Sequence, residues 1–444
     1  MDIATVVSEF NRMLLQLSSV FTAPTAETFR QLVVGWLLTP GPGPVTGMVR
    51  ALGTLATKHW TVYEKFFYRA SWSVEDLGRQ VLGRLVAPLL GPTVDLNIDD
   101  TTCGPRGRHV ALAGWFRDAS AKAQTTVIHW AHQWLIGAVT VRTPQRPLER
   151  VALPVLFALY RKKVDGDHAH PYATLPQLAA RMVRQAAEAL PGKRIFVAAD
   201  GLYATRDFFG NLPEGVCAVT RLRKNAALRC WPVPPRKGCR GGRPRVRGDR
   251  LPPLADLFRH VTDWRPVALL KQGRKVRRLI HGLTCQWYHV CRSNPVRVVL
   301  VRDPSGSEDD LAVVCTDLAV PDAAVVQRQF DRWGIEECIE EAKQQMGMER
   351  TRGWCAATVS RQAPLALVLV TLVKLWYVQH GADHPALAPE VPPWYTHKRG
   401  PSLRDMRAAL RRAFWRHRVF DKLLRGCKYH KLLNALTFAL CEAA

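Results

Sequence analysis

Acidic residues are scarce in this chain. Its 444 residues hold 37 Asp and Glu against 63 Lys and Arg, a formal net charge of +26 with His neutral. A surplus of that size points to a polyanionic partner, with nucleic acid first, because basic side chains that neutralise phosphates release condensed counterions. On charge alone, a ribosome-associated or simply basic protein is the other reading. Long hydrophobic runs are also missing. The longest, residues 364–373, is ten residues long before Lys374 interrupts it. That is too short to span a bilayer and fits a buried helix, so no membrane partner is expected. The first residues carry acids and no basic stretch, unlike a secretory signal. The 11 cysteines include no CxxC pair, and Cys230 with Cys239, or Cys285 with Cys291, lacks the usual zinc spacing, so reduced thiols are expected. No internal repeat is present.

What is there reads as globular: apolar residues make up 47% of the chain and charged residues 23%. Residues 1–88 carry apolar side chains at three- and four-residue steps, as in Phe29, Leu32, Val33, Trp36 and Leu37, the period of helices. Pro40-Gly-Pro-Gly-Pro44 breaks the pattern as a turn. From Lys58 to Arg69, basic and aromatic residues interleave, which suits a helical DNA-binding module or a plain helical cap on the core. From residue 93 the period changes to two, with Val94, Leu96 and Ile98 alternating with polar residues in a strand. Further strands are expected at about 126–129, 134–142, 194–200, 216–222, 278–290, 296–301 and 311–316. Helices are expected at about 175–190, 322–345, 361–379 and 402–418. Residues 231–253 are basic and rich in Pro and Gly, an exposed loop.

Three acids stand out by position. Asp100 and Asp200 end strands, where α/β folds gather functional groups. Glu336 lies within the 322–345 helix. At about 100° per residue it shares a polar strip with Gln329, Arg332, Glu340 and Lys343. Ile335, Ile339, Ala342 and Met346 flank that strip on one side, and Val326, Phe330 and Trp333 on the other. A residue lining a cleft would sit this way, as would one on an ordinary amphipathic helix with charge pairs four apart. Three carboxylates are what two Mg²⁺ ions about 4 Å apart require to activate an attacking oxygen and stabilise a leaving one in phosphoryl transfer. Arg332 and Lys343 would then hold phosphate nearby.

At these residues the sequence resembles the DDE transposases of bacterial insertion sequences, most closely the IS-four-like superfamily. LNIDDTT at 96–102 is similar to the family's first-Asp strand, and IFVAADGLY at 195–203 to its second-Asp strand. FDRWGIE at 330–336 followed by Lys343 resembles its Tyr-Arg-Glu-Lys signature, with Gln329 at the Tyr position. GWFRDAS at 114–120 and PWYTHKRGPS at 393–402 also look family-like. Within the Asp99-Asp100 pair, family pattern and strand phase favour Asp100, and Asp99 remains the alternative.

The resemblance implies an α/β fold with a ribonuclease-H-like core, a mixed sheet flanked by helices, carrying a mainly β insertion and helical N- and C-terminal regions. The implied order is a DNA-binding region at 1–88, the first part of the core at 89–230, and the insertion with its basic loop at 231–295. The second part of the core with the Glu helix follows at 296–380, and a basic helical region at 381–444. Implied too is a Mg²⁺-dependent endonuclease and strand transferase, Mn²⁺ substituting, in which Asp100, Asp200 and Glu336 ligate two ions. Its partners would be double-stranded DNA, as terminal inverted repeats and target, and a second copy of the chain on paired ends. The expected location is the bacterial cytoplasm, at the nucleoid. Rival readings are another ribonuclease-H-like nuclease and a transposase-derived DNA-binding protein that no longer cuts. Arg240 and Arg243 sit in RGGRP, which resembles an AT-hook core that enters a narrow minor groove, or belongs to a solvated loop. Trp231 and Trp287 are the insertion's candidates for base stacking. The arginines of 402–418 either bind DNA backbone or coat a surface helix.

Overall fold

The computed structural model describes all residues except 1–2, 105–106, 118–126, 144–145, 166–170, 233–244, 383, 389–399 and 418–444. The N-terminal region is helical as its period requires: α1 (Ile3–Gln16), α2 (Ala23–Leu38), α3 (Val45–Leu52), α4 (Trp60–Tyr68) and α5 (Val74–Gln80). Then come β1 (Thr93–Cys103), β2 (Gly114–Arg117), β3 (Ile128–Thr143), β4 (Arg146–Tyr160), α6 (Leu175–Ala189), β5 (Arg194–Ala199), α7 (Arg206–Phe209) and β6 (Cys217–Arg221). The remainder is α8 (Leu254–His260), β7 (Arg265–Lys271), β8 (Arg274–Gln286), α9 (Tyr288–Cys291), β9 (Pro295–Arg302), β10 (Leu311–Cys315), α10 (Asp322–Asp331), α11 (Trp333–Gln345), α12 (Ala356–Trp376) and α13 (Leu403–Trp415).

The strands form one mixed sheet. β1 is antiparallel to β3, β3 to β4, and β2 pairs with the start of β3. On its other edge β1 runs parallel to β5, and β5 parallel to β6. The sheet then continues antiparallel through β10, β9, β8 and β7. The parallel pairing of β1 with β5, ending at Ile98 opposite Ala199, brings Asp100 and Asp200 to the same edge of the sheet, although β1 runs on to Cys103 rather than ending at Asp100 as expected. Helices flank the sheet. α12 packs on β4, and its residues from Ala363 to Trp376 are buried. By length and composition α12 is apolar enough to cross a membrane, but a core helix passes the same test.

Several local features depart from the periodicity. The sequence pattern does not predict β4, because Pro147 and Pro154 speak against a strand. It pairs with β3 alone, and opposite the Gly137/Ala138 step the register skips Val155, so Pro154 sits at a bulge on an edge strand, where a missing N–H is tolerated. β2 is a second strand beyond the pattern, the strands expected at 126–129 and 134–142 are the single strand β3, and β7 is a third unexpected strand. It turns into β8 through Gln272 and Gly273, both at positive φ, the turn that matches the twist of a hairpin. The helix expected at 322–345 is two, broken at Arg332. Trp333 is 42% exposed, so the second of the two apolar stripes does not stay buried along α11.

A further departure concerns the arginines of α13, three of which turn inward, while Arg404 is exposed. Arg407, Arg411 and Arg412 are buried. Arg407 donates to the carbonyls of Gln345, Trp36 and Thr39, and Arg412 to those of Leu387 and Ala388. A guanidinium has five donors, enough to satisfy several loose carbonyls at helix ends at once. Burial also lowers the pKa of Arg407, to about 10.

Candidate active site

Along β1, Val94, Leu96 and Ile98 are buried, as the alternation requires. The intervening acids meet the helices that follow the sheet. Arg328 of α10 donates to Asp95 at 2.9 Å. Arg332, at the break between α10 and α11, donates to Asp99 at 2.5 Å and to Glu336 at 2.6 Å. The break thus aims one guanidinium between two acids from distant parts of the chain. Arg332 is mostly buried, which would lower its pKa, but Asp99, Glu336 and Asp200 hold it above the ordinary arginine value. Burial pushes Asp99 up to about 6, against the pull of Arg332 and with the repulsion of Asp100 and Glu336.

Asp100 stands in the other strand phase and has separate partners. Gln133 of β3 donates its Nε2 to one carboxylate oxygen at 2.9 Å, and the Tyr203 hydroxyl donates to the other at 2.7 Å. Asp200 caps the turn Gly201–Tyr203 by accepting the backbone N–H of Leu202 at 3.2 Å. That turn carries Tyr203 inward until it is fully buried, 0% exposed. Burial first, then Asp100, Asp99 and Asp200, drive the Tyr203 hydroxyl well above its usual pKa, so it remains a donor. Lys343 donates to the carbonyl of Thr102 at 2.8 Å and pairs with Glu349 at 3.3 Å. It therefore clamps the end of β1.

Asp99 and Glu336 thus meet at Arg332, which Asp200 also influences, whereas Asp100 meets Tyr203, which Asp99 and Asp200 influence. A cavity of about 540 Å³ opens beside it, lined by Asp200, Arg332, Gln329, Phe330 and Trp333 among others. The buried Oε1 of Gln329 accepts no hydrogen bond among the described residues. Among those residues, no group of three or more His, Cys, Asp or Glu side chains is arranged to hold a metal ion. Carboxylate oxygens are donors of the kind a hard divalent cation takes, although Arg332 already pairs with two of these acids, Asp99 and Glu336. The ligand set, however, is not drawn together as it stands.

Three participants were invisible to sequence reasoning: Gln133, Tyr203 as a partner of Asp100, and the pairing of Asp99 with Arg332. No local pattern marks them, because each contact spans 33 residues or more of chain. Arg240 and Arg243 lie outside the described residues. Trp287 is 5% exposed and packs edge-on against Phe209, so it presents no face for a base, whereas Trp231 is 45% exposed. The described cysteines are free thiols. The profile of the DDE superfamily endonucleases matches residues 16–294, a span that includes Asp99, Asp100 and Asp200 and stops before Glu336. Curated proteins include no match to the chain.

Proposed function

The chain belongs to the DDE superfamily endonucleases, and from that premise we propose that it is a DNA transposase: it nicks the ends of its element and joins the freed 3′ end to target DNA. What supports this reading is that Arg332 joins Glu336 to the β1 acid Asp99 and feels Asp200, while Tyr203, in the turn that Asp200 caps, donates to Asp100. The sheet order supports a ribonuclease-H-like core, with three antiparallel strands followed by two parallel ones, Asp100 on β1 and Asp200 just past β5. The strands β7 to β10 extend that sheet between the second Asp and the Glu, where the insertion of the IS-four-like branch would lie.

Asp100, Asp200 and Glu336 would hold Mg²⁺. When bound, the ions activate the attacking oxygen and stabilise the leaving one. The chain's own residues do the rest. Gln133 and Tyr203 fix the orientation of the Asp100 carboxylate. Lys343 fixes the end of β1 that bears it. Arg332, paired with two acids, is placed to turn its remaining donors to a phosphate once DNA arrives. The basic surplus of the chain supplies the attraction for DNA, and a second copy on the paired element end completes the assembly.

The test uses a plasmid bearing the DNA that flanks the gene. Wild type is expected to nick it with Mg²⁺ or Mn²⁺, whereas Asp200→Ala and Glu336→Ala bind it without cutting. Undiminished cleavage in either variant would reject the site. Binding by wild type without nicking in either metal would mark the chain as a DNA-binding relative instead.

A further inference from the structure

The cavity beside Asp200 and Arg332 is odd in a chain with net charge +26. Four bases line it: Arg221, Lys271, Arg278 and Arg332. Four acids line it too: Asp200, Asp303, Glu308 and Asp309. It is therefore electrically balanced, although it adjoins the site where a phosphate backbone has to lie. Three of those acids come from one place, the loop 303–310 that joins β9 to β10.

That loop is built to present its acids. Asp303 accepts the Ser305 backbone N–H and both the Ser305 and Ser307 hydroxyls, and Gly306 takes positive φ at the tip. Asp303 also receives Arg278 at 3.3 Å, and both side chains are nearly fully buried. Arg278 is thus fixed from below and offers its outer nitrogen to the cavity. There it meets Glu308 at 3.0 Å, which also takes Lys271 at 2.6 Å. Lys271 in turn lies over the Phe330 ring, 5.6 Å from its centre. One carboxylate is bridged by a buried, pre-aimed arginine and a lysine. That is the donor set a phosphodiester oxygen pair would use, with the carboxylate in its place. A second cavity, of about 410 Å³, shares Arg221 and Asp309 with the first and continues to Lys224, Arg259 and Arg302. There Arg302 is held by Asp310 at 2.8 Å.

We propose that Lys271 and Arg278 form a phosphate seat for a DNA strand leaving the acidic site, and that Glu308 fills this seat until DNA displaces it. The inference rests on the reading of the chain as an enzyme acting on DNA. The trough is then self-occluded. The loop 303–310 lowers the affinity of the empty protein for arbitrary DNA, and a strand that reaches the acids trades Glu308 for its own phosphate.

The experiment measures binding of the full chain to a fluorescent DNA duplex of arbitrary sequence, in EDTA, across a salt series. Glu308→Gln is expected to bind about threefold more tightly, the scale of a half-exposed ion pair. Its log–log salt slope is expected to steepen by about 0.9, one extra phosphate neutralised. Added to Glu308→Gln, Lys271→Gln is expected to remove that gain and return the slope toward the wild-type value. Asp76→Asn removes the same charge from the exposed Asp76–Arg79 pair and controls for net charge alone. Equal behaviour of Glu308→Gln and Asp76→Asn, or weaker binding by Glu308→Gln, overturns the seat while leaving the DNA-cutting reading intact. A wild type that binds no DNA overturns both.

Discussion

Replacing Tyr203 by Phe removes one oxygen atom and little else. The ring is fully buried and lies 6.0 Å edge-on from Phe208, a contact that Phe keeps. What disappears is the donor to Asp100. A hydrogen bond to a charged group contributes about 1.5–3 kcal/mol. Asp100 keeps Gln133 on its other oxygen, which puts the expected loss toward the low end, about 1.5 kcal/mol. The hydroxyl stays protonated throughout the working range, because burial and three acids hold its pKa high, so the loss does not depend on pH. Urea unfolding should show a lower midpoint with an unchanged slope. If the same free energy orients Asp100 in the transition state, cleavage falls about tenfold. A double-mutant cycle with Asp100→Asn isolates the pair, with a coupling of about 1–1.5 kcal/mol expected. A coupling near zero, or a Tyr203→Phe variant as stable as wild type, would refute the role of Tyr203 in holding Asp100.

Two further outcomes test the frame around the site. Gly282 on β8 faces the Arg297–Asp322 pair, and an added Cβ would collide with the Arg297 guanidinium and the Asp322 carboxylate. Gly282→Ala should therefore cost about 1–3 kcal/mol in unfolding measurements and loosen the junction between the sheet and α10. Lys374, buried within α12, pairs with Glu341 at 2.6 Å and touches the Cys338 sulfur at 3.1 Å. Lys374→Met alone should destabilise by about 2–3 kcal/mol, less than a fully buried pair because Glu341 keeps some solvent. Adding Glu341→Gln should recover most of that loss, and strictly additive losses would count against the pairing.

The sequence by itself determined the elements that its periodicities encode: a helical N-terminal region, a strand β1 that contains Asp100, a strand β5 that leads into Asp200, and a helical Glu336 in step with Arg332 and Lys343. These are properties of neighbours a few residues apart, so a linear pattern carries them. Only the tertiary structure decided what the acids touch. Asp99 and Asp100 are adjacent in the chain, yet the pleat turns one to Arg332 and the other to Tyr203 and Gln133. It also decided that Arg407 and Arg412 of α13 serve carbonyls inside the protein rather than phosphates outside it. Charge along a sequence does not reveal burial, because a guanidinium can be held in the interior by several backbone carbonyls brought together only by the fold.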